Sequence, residues 1–124
     1  MKNYLVIGAS SGIGKELAEL LASQGNQVIG TFNQTKRDDK ENLSYQQLDV
    51  LYQNAFLENL PESLDGFIYC PGSINLKPFA RIKSADFIAD YDLQVGGAIR
   101  LLQQALPKLK NAQQASILFF STVA

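Results

Sequence analysis

Apolar residues along this chain fall into short continuous runs, separated by longer stretches in which apolar and polar positions alternate at helical spacing. Tyr4-Leu5-Val6-Ile7, Gln27 to Phe32, Gly66-Phe67-Ile68-Tyr69 and Ser116-Ile117-Leu118-Phe119-Phe120 read as strands. Their lack of polar alternation is the pattern of parallel strands covered on both faces. A further short strand is predicted to end near Leu48, after a solvated loop from Asn33 to Asn42. Between the runs lie three predicted helices. The first covers Gly12 to Gln24, turns Leu17, Leu20 and Leu21 inward and stops at Gly25. The second covers Tyr52 to Leu60, ahead of Pro61. The third starts at Ser84 as N-cap, with Phe87, Ile88 and Tyr91 facing inward, and reaches about Leu106. Pro107 is expected to end or kink it, while Lys108 and Lys110 complement the dipole at its C-terminus. Five strands separated by helices predict an α/β fold with a doubly wound parallel sheet. The right-handed crossover rule gives it the order 3-2-1-4-5.

The first strand runs directly into Gly8-Ala9-Ser10-Ser11-Gly12-Ile13-Gly14 and then into the helical pattern from Lys15. This junction offers a phosphate group what it needs. Backbone N–H groups and the positive end of a helix dipole face an anion, with no bulky side chain in the way. A Walker-type loop would place Ser or Thr after Gly14-Lys15, and Glu16 stands there instead. A nucleotide-binding turn is favoured over a purely structural glycine turn.

Composition limits the other possibilities. The 124 residues suit one domain, 46% of them are hydrophobic, and the net charge of −1 offers no attraction for nucleic acid or an acidic membrane. Cys70 is the sole cysteine, so no intrachain disulfide forms, which suits a cytoplasmic protein. The N-terminus has no signal-peptide pattern, and no apolar run approaches a membrane span. With no histidine in the chain, Ser–His and Cys–His pairs are excluded and a metal site is not expected.

The spacing Gly8, Gly12, Gly14, with Ala-Ser-Ser inside it, resembles the short-chain dehydrogenase/reductase family almost letter for letter. That resemblance implies a nicotinamide dinucleotide held by Gly8, Ser10, Ser11, Gly12, Ile13 and Gly14. It also implies that Asp49-Val50 receives the adenine ring, through a carboxylate and the next backbone N–H. Read alone, Asp49 is better taken as a loop aspartate capping the following helix; only its register with the glycine turn favours the adenine role. Cys70-Pro71-Gly72 occupies the place of the family's Asn-Ala-Gly and keeps only the glycine. A cysteine ending a buried strand is ordinarily inert, so Cys70 is not assigned as a nucleophile.

Gly96-Gly97 costs a helix interior about 2 kcal/mol relative to alanines, which implies close packing against a backbone or a cofactor. By the resemblance, Gln94 stands at the family's catalytic asparagine. Thr122, with Ser121 as the alternative, stands at the serine that hydrogen-bonds the substrate oxygen. The family's acid–base pair is a tyrosine with lysine four residues later. Four residues after Tyr4, Tyr45, Tyr52, Tyr69 and Tyr91 stand Gly8, Asp49, Phe56, Ser73 and Val95. The resemblance thus covers the N-terminal, cofactor-binding half of a typical member. The chain is expected to be a fragment ending after its fifth strand, inactive by itself, with that strand as a hydrophobic edge.

Members that prefer NAD end the second strand with an acid that binds the ribose hydroxyls. Phe32 and Asn33 stand there, and Lys36 and Arg37 follow, so NADP is favoured with NAD as the alternative. Two functions stay open. One is an oxidoreductase acting on a carbonyl or secondary alcohol; the other is a nucleotide-binding or redox-sensing protein without turnover. The expected partners are the dinucleotide, a small-molecule substrate and a second copy of the chain, docked through the helix at 84–106.

Overall fold

A computed structural model describes residues 1–72 and 77–120. Strand β1 (Asn3–Ile7) leads into helix α1 (Gly12–Ser23), followed by β2 (Gln27–Phe32), β3 (Leu43–Gln47) and β4 (Gly66–Tyr69). A 3₁₀ turn (Phe79–Arg81) precedes α2 (Ser84–Tyr91). A π-turn (Asp92–Gly96) joins α2 to α3 (Gly97–Lys110), and β5 (Ser116–Phe119) comes last. The sheet is parallel and runs β3-β2-β1-β4-β5, the predicted order. This is a Rossmann-type arrangement.

Alternation along β1 divides the interior into two layers. Leu5 and Ile7 face a cluster with Phe67, Leu64, Leu101, Ala105 and Leu109, which seats α3. Val6 faces the other way, into a cluster with Ala18, Ala22, Val28 and Ile68, which seats α1. Both layers are apolar because a parallel strand with helices on each side has no solvent face.

Helix α1 meets the sheet through Gly14, Ala18 and Ala22, a stripe of small residues at four-residue spacing. Leu17 and Leu21 flank that stripe, but Leu20, predicted to face inward, is 53% exposed because it sits two residues, about 200°, beyond Ala18. Gly25 ends the helix as predicted, with φ of 88° and its N–H on the Ala22 carbonyl.

The predicted helix at 52–60 does not form. Glutamines from elsewhere take the backbone groups that a helix would have used. Gln104 donates to the Ala55 carbonyl at 2.7 Å and accepts from Leu57 N–H at 2.9 Å. Gln46 does the same with the carbonyl and N–H of Glu58, both at 2.9 Å. Asn59 then adopts φ of 55°, which no helix tolerates.

The long helical segment also departs from expectation. Ser84 is the first helical residue and not the cap; the Asp86 carboxylate accepts the Lys83 N–H at 3.0 Å instead. Phe87, Ile88 and Tyr91 point outward, since α2 has no described layer beneath it and buries none of its residues. Pro107 neither ends nor interrupts α3, which continues to Lys110. The missing proline N–H frees only the carbonyl of Gln103, an exposed residue, so no buried acceptor is left unpaired. The apolar run of β5 reads as a strand covered on both faces, but the strand is the hydrophobic edge expected of a sheet that stops there. Ile117, Leu118 and Phe119 are 46%, 43% and 48% exposed, with β4 as the ladder partner among the described residues.

Candidate cofactor site

The carboxyl ends of β1, β2, β3 and β4 surround a cleft of about 520 Å³. Gly8, Ser10 and Ser11 form one wall, and Thr31, Phe32, Asn33, Gln34 and Thr35 another. Leu48 and Val50 come from the end of β3; Cys70, Pro71 and Gly72 from the end of β4; Leu93 comes from the π-turn. Open α/β sheets bind ligands at such a point, where the strand order reverses.

The turn after β1 is held from β2. Thr31 is buried, and its hydroxyl accepts the Gly8 N–H at 3.0 Å while its carbonyl accepts the Ala9 N–H at 2.8 Å. Gly8 adopts φ of 78° and Gly12 φ of 57°, the left-handed region where a side chain is strained. At Gly14 a Cβ would overlap the Gly8 carbonyl oxygen and lie 2.9 Å from its carbon. Each glycine is therefore required by backbone conformation or by approach. The first bond of the helical ladder is Lys15 N–H to the Ser11 carbonyl at 3.2 Å. The N–H groups of Gly12, Ile13 and Gly14 precede that ladder and are free to meet an anion. This cradle of backbone N–H groups, with no side chain at Gly8, Gly12 or Gly14 to obstruct it, fits a diphosphate.

Arg37, in the loop after β2, reaches back to this turn. Its Nε donates to the Ser10 carbonyl at 2.9 Å, which sets a guanidinium beside the glycine turn. Among the described residues that line the cleft, none is acidic.

Asp49 stands just outside the lining, between Leu48 and Val50, and accepts the Leu51 N–H at 3.0 Å. Gln94 is exposed on the π-turn next to Leu93 and does not line the cleft. Ser121 and Thr122 lie outside the described residues. Gly72 is exposed at the rim.

Two titrating groups sit at the end of β4: Cys70 lines the cleft, and Tyr69, one residue earlier, belongs to the core. Burial pushes the Cys70 thiol up from 9.0 to about 11, so it is a neutral thiol near neutral pH. Burial also pushes Tyr69 up to about 12, and its hydroxyl donates to the Leu93 carbonyl. Gly97 makes that bond possible, since a Cβ there would lie 2.7 Å from the Tyr69 hydroxyl. The close approach inferred from the glycine pair is at Gly97 to the Tyr69 hydroxyl and to the Val50 backbone carbonyl, which a Cβ would meet at 3.1 Å. The carbonyl displaced from regular α geometry at Leu93 is what a π-turn provides.

Among the described residues, no three potential metal-binding side chains come together, and no helix is long and apolar enough to cross a membrane.

Comparison with known proteins agrees with this geometry. A family model described as short chain dehydrogenase matches residues 2–124. A short chain dehydrogenase family protein from Francisella tularensis subsp. tularensis SCHU S4 superposes with a TM-score of 0.84 at 29% identity, over 98% of this chain and 51% of its own. A serine dehydrogenase in its closed form, complexed with NADP+, gives 0.80 at 25% identity, over 93% and 52%. A short-chain dehydrogenase from Streptomyces avermitilis shares the fold with a TM-score of 0.84 at 24% identity, over 98% and 50%. The chain spans about half the length of these structures. A search of curated proteins finds no match. By fold, by glycine turn and by the match along its length, the chain belongs to the short chain dehydrogenase family.

Proposed function

We propose that residues 1–124 are the cofactor-binding domain of a cytoplasmic NADP-dependent oxidoreductase that acts on a carbonyl or secondary alcohol. The observation that carries the choice of cofactor is the second wall of the cleft. No acid stands at the end of β2 to receive a 2′-hydroxyl or repel a 2′-phosphate, and the Arg37 guanidinium is anchored on Ser10 beside it. Arginine suits phosphate because its charge is permanent and its fork matches two oxygens. The complex of a related serine dehydrogenase with NADP+ supports the same choice.

In this reading Gly8, Ser10, Ser11, Gly12, Ile13 and Gly14 bind the diphosphate through backbone N–H groups and the helix dipole. Asn33 meets the adenosine ribose, and Asp49 and Val50 hold the adenine. Cys70, Pro71 and Gly72 form the wall that continues toward the nicotinamide. The bound dinucleotide supplies a hydride donor or acceptor. Thr122, or Ser121 in its place, orients the substrate oxygen by a hydrogen bond, and the Gln94 amide holds a water for proton transfer. The Tyr-x-x-x-Lys pair that would exchange that proton is not among the 124 residues. Turnover is accordingly expected only where such a pair is supplied, since a positioned acid or base contributes about 10²–10⁴-fold.

A second reading, nucleotide binding without turnover, is favoured by one set of positions. Cys70-Pro71 replaces Asn-Ala, the Cys70 thiol is held neutral, and Gln94 lengthens the amide arm. In either case the exposed stripe Ile88, Tyr91, Val95, Ile99 and Leu106 is proposed to meet its copy in a second chain.

Calorimetric titration of the intact protein with NADP+ and NAD+ tests the choice. NADP+ should bind tighter, and Arg37→Gln should reduce the difference by about tenfold. Tighter binding of NAD+, or a preference unmoved by Arg37→Gln, would reject NADP.

A further inference from the structure

Arg100 lies in α3, away from the lining of the cleft, yet its guanidinium ties together two elements that meet there. Nη1 donates to Asp92 Oδ1 at 2.8 Å, inside the π-turn. Nη2 donates to the Val50 carbonyl at 2.7 Å, in the loop after β3. The peptide gripped in this way is also held at its other end, because the Leu51 N–H of that same plane donates to Asp49 Oδ1 at 3.0 Å. Guanidinium, peptide and carboxylate therefore form one continuous chain of hydrogen bonds. A cation on the carbonyl polarises the peptide and strengthens the N–H as a donor to Asp49. The second carboxylate oxygen of Asp49 has no partner among the described residues.

The fork matters as much as the charge. A planar guanidinium reaches two acceptors at fixed directions, whereas a lysine ammonium on its flexible stem is a point donor that matches this pair poorly. The Arg100 side chain is 26% exposed, so the tie is partly sheltered from solvent screening. Neither Asp49 nor Arg100 touches the other directly; the peptide between Val50 and Leu51 transmits the constraint.

We propose that Arg100 is a positioning residue for base recognition: through the Val50–Leu51 peptide it fixes the Asp49 carboxylate so that its free oxygen selects a ligand bearing an exocyclic amine. This rests on the reading of Asp49 and Val50 as the adenine end of the cleft. Adenine offers an amine that donates to a carboxylate; hypoxanthine carries an oxygen at the same position, which the carboxylate repels. Loosening Arg100 should therefore lower the selectivity for adenine more than it lowers binding as a whole.

The test compares dissociation constants for NADP+ and for its hypoxanthine analogue on the intact protein and on Arg100→Lys, Arg100→Gln, Asp49→Asn and the double variant Asp49→Asn with Arg100→Lys. The wild type should prefer NADP+ by about tenfold. Arg100→Lys and Arg100→Gln should bring the two ligands near parity, and adding Asp49→Asn to Arg100→Lys should change the ratio no further. The ratio is unaffected by any unfolded fraction, so a merely destabilised variant keeps the wild-type preference and overturns the proposal. Losses that add in the double variant also overturn it. A wild type that binds both ligands equally rejects the proposal while leaving the cleft's function intact, whereas a wild type that binds neither rejects both.

Discussion

A Cβ at Gly14 would overlap the carbonyl oxygen of Gly8. This relationship ties the start of α1 to the end of β1 at a separation that only a hydrogen at Gly14 permits, and it seats the helix N-terminus directly after Ser10 and Ser11, which line the cleft. Gly14→Ala should cost about 1–3 kcal/mol of stability through overpacking. It should also abolish dinucleotide binding by lifting the helix N-terminus from the strand. Denaturant titration and calorimetry on the same variant check the two effects.

Thr31 supports the same turn from the neighbouring strand. Thr31→Val keeps the shape but leaves the Gly8 N–H without its acceptor, and NADP+ should bind about tenfold more weakly. Thr31→Ser keeps the hydroxyl and should stay near wild type. Equal affinities for the valine and serine variants would show that the hydroxyl has no part in holding the turn.

Much of this was legible in the sequence for a physical reason. Parallel strands covered on both faces leave continuous apolar runs, and a turn that must admit phosphate leaves glycines at fixed positions. What escaped was decided by side chains remote in sequence. Gln104 and Gln46 take the backbone groups of Ala55, Leu57 and Glu58, and no local pattern between Tyr52 and Leu60 announces them. The outward set of Phe87, Ile88 and Tyr91 has helical spacing, which fixes a common face but not what lies against it. Arg37 carried the right residue type in the sequence; its anchor on Ser10 required the fold. Tyr69 against Gly97 is an intermediate case: the glycine pair signalled close approach without naming the partner.

Cys70 and Tyr69 make stability fall at alkaline pH. Each has a folded-state value raised above its ordinary one, 9.0 to about 11 for the thiol and 10.0 to about 12 for the phenol. The folded state thus retains protons that the unfolded chain has released. Their contribution is fully present below the ordinary values and is lost as pH rises through the raised ones. Urea midpoints should fall between pH 9 and 11, and Cys70→Ala should flatten that part of the slope. An unchanged slope in the variant would remove the thiol as its source.

The proposed pairing of two chains depends on which side of α3 faces out. Leu101 lies within the segment 84–106 assigned to this contact, yet it is 1% exposed and belongs to the core between α3 and the sheet. Leu101→Glu should unfold the protein by burying a charge. Ile99, 47% exposed, is the position to alter. Ile99→Glu should convert a dimer to a folded monomer in analytical ultracentrifugation, and an unaltered sedimentation coefficient would place the interface elsewhere.

The most direct measurement is a crystal structure of the intact protein with NADP+. The account predicts the diphosphate on the N–H groups of the glycine turn, the 2′-phosphate at Arg37 and the adenine beside Asp49 and Val50. A dinucleotide bound outside the cleft, or bound within it with its adenine directed toward Cys70 and Gly72, would contradict it.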